Sequence, residues 1–176
     1  GKSVTTLTEN WKAKKSTIMT RLRLYPYEKG TDLSKDQYFM SFNNDTKDMG
    51  LALLPAGKSK INVLFSDANA YGGINKAEKA NVFVYTKSNA MQSPVSYVST
   101  SANLGNAKQV NTNTPDQAKY AWTSGVKLLK YVSTYGDTLQ AALYLPANYV
   151  EGKSYPTITY IYERLTDGLN NYSMPS

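Results

Sequence analysis

Residues 126–163 read VKLLKYVSTYGDTLQAALYLPANYVEGKSYPTITYIYE, and the fold reading turns on them. Residues 127–133 and 139–145 are aliphatic-rich runs of strand length, parted by Thr134-Tyr135-Gly136-Asp137. Two such runs around a Gly-Asp turn predict a β-hairpin. Pro146 has no amide to donate and stops the second run. Glu151-Gly152-Lys153 reads as a solvated turn. Thr157-Ile158-Thr159-Tyr160-Ile161-Tyr162 is β-branched or aromatic throughout. A strand covered on both faces has that composition, because no alternate position has to face water. The stretch therefore predicts a hairpin followed by an interior strand, with 167–171 as loop.

Upstream, short β-runs alternate with turn chemistry. Tyr38-Phe39-Met40-Ser41-Phe42 leads through the turn Asn43-Asn44-Asp45 to Gly50-Leu51-Ala52-Leu53-Leu54. Pro55-Ala56-Gly57-Lys58 turns again, into Ile61-Asn62-Val63-Leu64-Phe65. A loop of Asp, Asn, Gly and Ala follows, then strands at Asn81-Val82-Phe83-Val84-Tyr85 and Pro94-Val95-Ser96-Tyr97-Val98-Ser99. The expected fold class is mainly β: an antiparallel meander like partial β-propeller blades, one blade and a piece of another. Thr114-Pro115-Asp116-Gln117 matches a capping box and predicts a short helix, with Ala118, Ala121 and Trp122 on its buried side and Ser124-Gly125 at its end. A connector there divides the chain into residues 1–123 and 124–176.

The chain has 176 residues, 15 tyrosines, no cysteine, no histidine and a net charge of +7. Disulfides, thiolate metal sites and cysteine nucleophiles are excluded. No stretch approaches the ~20 apolar residues that span a bilayer. Gly1-Lys2-Ser3-Val4 is followed by no apolar signal region, so Gly1 reads as an internal start with any export signal upstream. Residues 1–35 hold eight Lys/Arg against three Asp/Glu, +5 of the total. Trp11-Lys12-Ala13-Lys14-Lys15 with Arg21-Leu22-Arg23 has the clustered cations that phosphate binding needs. A solvated strand face has the same composition, and no nucleic-acid or membrane partner is expected. The tyrosines suit pleated strands, where a ring packs and the hydroxyl reaches water. They also suit a binding surface for carbohydrate or peptide, the alternative being a self-contained β-rich binding module.

Candidate chemistry is sparse. A Ser-His-Asp triad needs an imidazole, which this chain lacks, and no G-x-S-x-G occurs. Ser124-Gly125-Val126-Lys127 has the S-x-x-K form but enters a strand, where the enzymes that use it open a helix. Asp67, Asn69, Tyr71, Gly72, Ile74 and Glu78 fall at positions 1, 3, 5, 6, 8 and 12 of an EF-hand-like loop. Asp67, Asn69 and Glu78 are thus weak calcium ligands in prospect, against the plain reading of a connection between strands. No other metal and no cofactor is expected. Glu163 and Asp167 read as solvated or structural carboxylates, without the opposed geometry of an acid/base couple.

Tyr135-Gly136-Asp137-Thr138-Leu139, then Ala142-Leu143-Tyr144-Leu145-Pro146, then Lys153-Ser154-Tyr155-Pro156 with Tyr160-Ile161-Tyr162-Glu163, stand in an order that resembles prolyl oligopeptidase-family serine peptidases, especially the dipeptidyl-peptidase-like bacterial branch. Residues 32–35, 42–43, 76–87 and 117–122 resemble the last propeller blade and linker of the same family more loosely. The resemblance implies a parent enzyme with a β-propeller and an α/β-hydrolase domain that cleaves short peptides by acyl transfer. It implies that Tyr162 donates its hydroxyl to the oxyanion hole. Glu163-Arg164-Leu165 follow, where many members carry a small residue, Gly and Pro. The expectation is a fragment spanning the end of the propeller and the first strands of the hydrolase domain. It would be inactive alone, structural and gating within the parent, and prone to self-association or domain swapping. A periplasmic or secreted parent is compatible with these residues, which do not fix location or substrate preference.

Overall fold

Register and turn chemistry sort residues 17–109 into two four-stranded antiparallel meanders. The computed structural model describes residues 3–6, 16–24, 27–111 and 115–173. The first sheet runs in chain order through β1 (Thr17–Leu22), β2 (Gln37–Asn43), β3 (Met49–Leu54) and β4 (Asn62–Asp67). The second runs likewise through β5 (Ala70–Lys76), β6 (Phe83–Asn89), β7 (Gln92–Ser99) and β8 (Lys108–Gln109). Only Ala68-Asn69 links β4 to β5, so the chain leaves the edge of one sheet and enters the edge of the next.

Side-chain alternation explains why the sheets pack together. Tyr38 stands opposite Leu53 and Met40 opposite Leu51, so these four share one face of the first sheet. Phe83 and Tyr85, two residues apart on β6, share one face of the second. These faces meet in a core of Leu24, Tyr38, Leu51, Ile74, Phe83, Tyr85 and Leu104. The Tyr38 and Phe83 rings make an edge-to-face contact at 5.7 Å between centroids. On the other face of the first sheet, Ala52, Leu54 and Ile61 gather with Met19 and Phe39. Strand β3 is thus covered on both sides, and Leu51 and Ala52 are both fully buried.

β9 (Val126–Val132) and β10 (Thr138–Tyr144) form a third, two-stranded sheet with Val132 opposite Thr138. The predicted turn closes it: Ser133 N donates to Asp137 O at 2.8 Å, and Gly136 supplies a φ of +88°.

The described residues are mainly antiparallel β with two short 3-10 turns, and they form no closed barrel or propeller ring. Three expectations need correction. β5 and β8 are strands that the sequence reading does not name, and β1 it reads only as a possible solvated strand face without bounds. The connector at Pro115–Lys119 is a single 3-10 turn rather than a capped α-helix. Thr114 lies outside the described residues, as does the basic stretch Trp11 to Lys15. The Gln117 side chain does not serve a capping box: its Nε2 donates to Met91 O at 2.8 Å and its Oε1 accepts from Ser93 N at 3.2 Å, fastening the β6–β7 turn. Ala118 and Ala121 are exposed. Finally, residues 153–162 form a ribbon outside every sheet, not an interior strand. Ile158 is 95% exposed and Ile161 88% exposed. The composition that suits burial is present, but among the described residues no strand pairs with it to satisfy its backbone.

Candidate functional site

Tyr162 sits at the C-terminal end of this ribbon and is 61% exposed. Glu163 follows in the left-handed region at φ +43°, an uncommon conformation for a side-chain-bearing residue. The chain then enters the 3-10 turn Leu165–Gly168. At the ribbon's start, the Tyr155 hydroxyl accepts from Val150 N at 2.8 Å, and the Tyr149 and Tyr155 rings lie 5.5 Å apart. Tyr162 is thus largely in solvent, at the end of a ribbon whose start is held by the Val150–Tyr155 contact. No imidazole base can stand with it, because the chain has no histidine.

The tail after Tyr162 is well held. Asp167 pairs with Lys47 Nζ at 2.9 Å, Leu169 and Asn170 are buried, and Tyr172 stacks on Trp122 with ring centroids 5.1 Å apart. The tail is therefore structured, and Asp167 is a structural carboxylate as expected.

Asp67, Asn69 and Glu78 are not brought together. Residues 70–76, read as part of a loop, are strand β5. Asp67 and Glu78 lie beyond its opposite ends, with the strand between them. Among the described residues no three His, Cys, Asp or Glu side chains gather as metal ligands. Instead, the Tyr71 hydroxyl donates to Asp67 Oδ2 at 2.8 Å, and Asn89 Nδ2 donates to Asn69 Oδ1 at 3.3 Å. Asp67 Oδ1 is buried without a hydrogen-bond partner. Burial and the bond to Asp67 push the Tyr71 phenol far above the ordinary range.

Tyr71 belongs to a ladder of rings that sequence reasoning did not single out. Phe65, Tyr71, Tyr85 and Tyr97 follow one another at centroid spacings of 4.9, 6.1 and 5.5 Å. It takes one ring from each of β4, β5, β6 and β7, with Tyr85 directly opposite Tyr97, so only the strand register, not the spacing within any one run, reveals it. These rings line the core, so three of the tyrosines serve packing rather than a binding surface. Ser124 and Lys127 both engage Tyr149: Ser124 Oγ accepts from Tyr149 N at 3.2 Å, and Lys127 Nζ lies 5.9 Å from the Tyr149 ring centroid. A shallow depression of about 220 Å³ beside Trp122 is lined by Ala90, Thr123, Tyr144 and Asn171 among others, with no titrating pair in it.

No family model matches the chain, and no curated relative matches it. Among solved structures, the chain is similar to the isopeptidase AtxE2, a Ser-to-Ala variant with Astexin3-dC4 bound, at 19% identity and a TM-score of 0.51. The match covers 70% of this chain and 19% of that one, so the chain spans about a fifth of the neighbour's length. At that identity the likeness is one of fold: a β-rich part of a peptidase-like protein.

Proposed function

We propose that this chain is part of a serine peptidase of the prolyl oligopeptidase kind. Residues 1–123 carry successive blades of a substrate-gating β-propeller, and residues 124–176 are the opening strands of its α/β-hydrolase domain. One observation carries the reading. Thr157 to Tyr162 has the composition of a doubly covered strand yet lies exposed and outside every sheet, with Ile158 95% exposed. Such a segment needs a neighbour on each side, which further hydrolase strands of the parent would supply. Two features support it: the passage from the last strand of one meander into the first of the next, as between propeller blades, and the likeness of fold to part of an isopeptidase.

In this reading the parent hydrolyses amide bonds of short peptides by acyl transfer, with nucleophile, acid and base supplied from outside these residues. Tyr162 donates its hydroxyl to the carbonyl oxygen as negative charge develops there. A donor aimed at the tetrahedral intermediate lowers the barrier, but without nucleophile and base it has nothing to stabilise. The isolated chain is therefore inactive.

The test is to express the chain together with whatever coding sequence follows Ser176. That sequence should contain a G-x-S-x-G and then an Asp and a His. The extended protein should cleave dipeptidyl-nitroanilides, and Tyr162→Phe should lower kcat by about 100- to 1,000-fold with little change in KM. A stop codon directly after Ser176, or an unchanged kcat in Tyr162→Phe, refutes the proposal.

A further inference from the structure

We propose that residues 165–172 form a clasp keyed by Lys47, which holds hairpin β9–β10 to the first sheet and fixes where the 153–162 ribbon ends, and with it Tyr162. The clasp itself stands independently of the peptidase reading; its use in positioning Tyr162 rests on that reading.

Lys47 lies in the β2–β3 turn, where a lysine would ordinarily reach into water. Its side chain is instead 4% exposed. A buried ammonium is costly unless paired, and its partner is Asp167, 120 residues further along the chain, at 2.9 Å. The Lys47 backbone takes the left-handed conformation at φ +67°. Both polar ends of the residue are used on the same tail, because its carbonyl accepts from Asn170 Nδ2 at 3.0 Å. Leu169 and Asn170 are 5% and 7% exposed, so the tail is inserted rather than draped.

The contacts close a triangle. The β2–β3 turn holds the tail through Lys47. The tail holds β10, where the Tyr144 hydroxyl donates to Gly168 O at 3.4 Å. β10 returns to the turn, where Gln140 Nε2 donates to Asp45 O at 3.1 Å. Beyond the triangle, the Tyr172–Trp122 stack seals the tail against the connector. Tyr162 stands five positions before Asp167, so its location is inherited from the clasp at one end and from the Val150–Tyr155 contact at the other.

The test uses the chain with Trp11→Phe, which leaves Trp122 as the only tryptophan. Lys47→Met, Asp167→Ala and the double variant are compared by trypsin cleavage after Arg164, by cleavage after Lys153 as an internal control, and by Trp122 emission. Opening of the clasp frees residues 165–168 for the protease. Each single variant should raise Arg164 cleavage by about tenfold or more, red-shift Trp122 emission and leave Lys153 cleavage within about twofold. The double variant should match Lys47→Met, because both side chains act through one contact. Unchanged Arg164 cleavage with intact far-UV dichroism, or effects that multiply in the double variant, overturns the clasp. Should Lys47→Met fail to fold, Asp167→Ala carries the same test, its side chain being 40% exposed. In the extended protein Lys47→Met should lower kcat more than it raises KM. A null effect of Tyr162→Phe there would sink the peptidase reading while leaving the proteolysis result intact.

Discussion

Three residues show how little freedom the core leaves. Phe83 is fully buried and meets the Tyr38 ring edge to face, so Phe83→Ala removes both its burial and that contact. A loss of about 3–5 kcal/mol is expected, read as a lower urea midpoint with the same m-value. At Gly50 the constraint is space. A Cβ there would run into Phe65 O and come within 2.8 Å of Ser41 Oγ. Backbone cannot swing aside as a side-chain tip can, so Gly50→Ala should cost about 1–3 kcal/mol in the same measurement. Tyr71 sets an alkaline limit. Its folded-state phenol titrates well above the ordinary 10.0, because burial and the Asp67 bond disfavour the phenolate. Below pH ~10 both folded and unfolded chains hold the proton and the stabilisation is complete. Above it the unfolded chain gives up its proton first, so stability falls as pH rises. Tyr71→Phe should flatten that alkaline decline in urea midpoint. At neutral pH it should cost about 1–3 kcal/mol, since the Asp67 carboxylate, already lacking a partner on Oδ1, loses its donor on Oδ2.

At the scale of elements, legibility followed local chemistry. β2, β3, β6, β7 and the β9–β10 hairpin could be read because their aliphatic and aromatic runs are bounded by Asn, Asp, Gly or Pro turns. β5 was hidden because AYGGINK carries turn residues in mid-strand. Those residues make an irregularity: the register with β6 shifts between Gly72 and Asn75, and Gly73 takes φ +57°. β1 was hidden behind its charge, since Arg21 and Arg23 suggested a solvated face. In the structure Arg21 pairs with Glu28 at 2.8 Å and bonds Gln37 at 2.9 Å. The ribbon failed for the opposite reason: its residues have strand character, but pairing is a tertiary property that residues 157–162 cannot supply alone. Of the candidate site, Tyr162 could be read only by resemblance. The Lys47–Asp167 contact was illegible, because nothing in a sequence marks a pair 120 residues apart. The ribbon's exposure carries its own prediction. Residues 157–162 hold no charge, proline or glycine, the composition of a self-pairing strand. Ile158→Lys should therefore suppress concentration-dependent association in light scattering. It should leave the urea midpoint unchanged within about 0.5 kcal/mol, because the side chain is already in water.

Over the whole molecule, apolar burial is unevenly shared. The main core draws on both meanders at once, with Leu51 from the first and Phe83 and Tyr85 from the second. Neither sheet can open without exposing the side chains that cover the other, so the two should unfold together. Hairpin β9–β10 contains no fully buried residue on either strand. A two-stranded sheet is marginal on its own in water, and this one is held chiefly by its turn, the connector and the tail. Stability should accordingly fall into two tiers, with the hairpin and tail opening below the global transition. Native-state hydrogen exchange reads this directly. Amides of β2, β3, β6 and β7 should share one slow, denaturant-sensitive opening, while those of β9 and β10 exchange faster with a weaker dependence on urea. Equal protection of all six strands would mean that the hairpin is integral to the core. Under the proposed reading, such a gap would suit a joint: a stiff paired meander on one side, and on the other a hairpin whose exposed faces would gain stability from further strands laid against them.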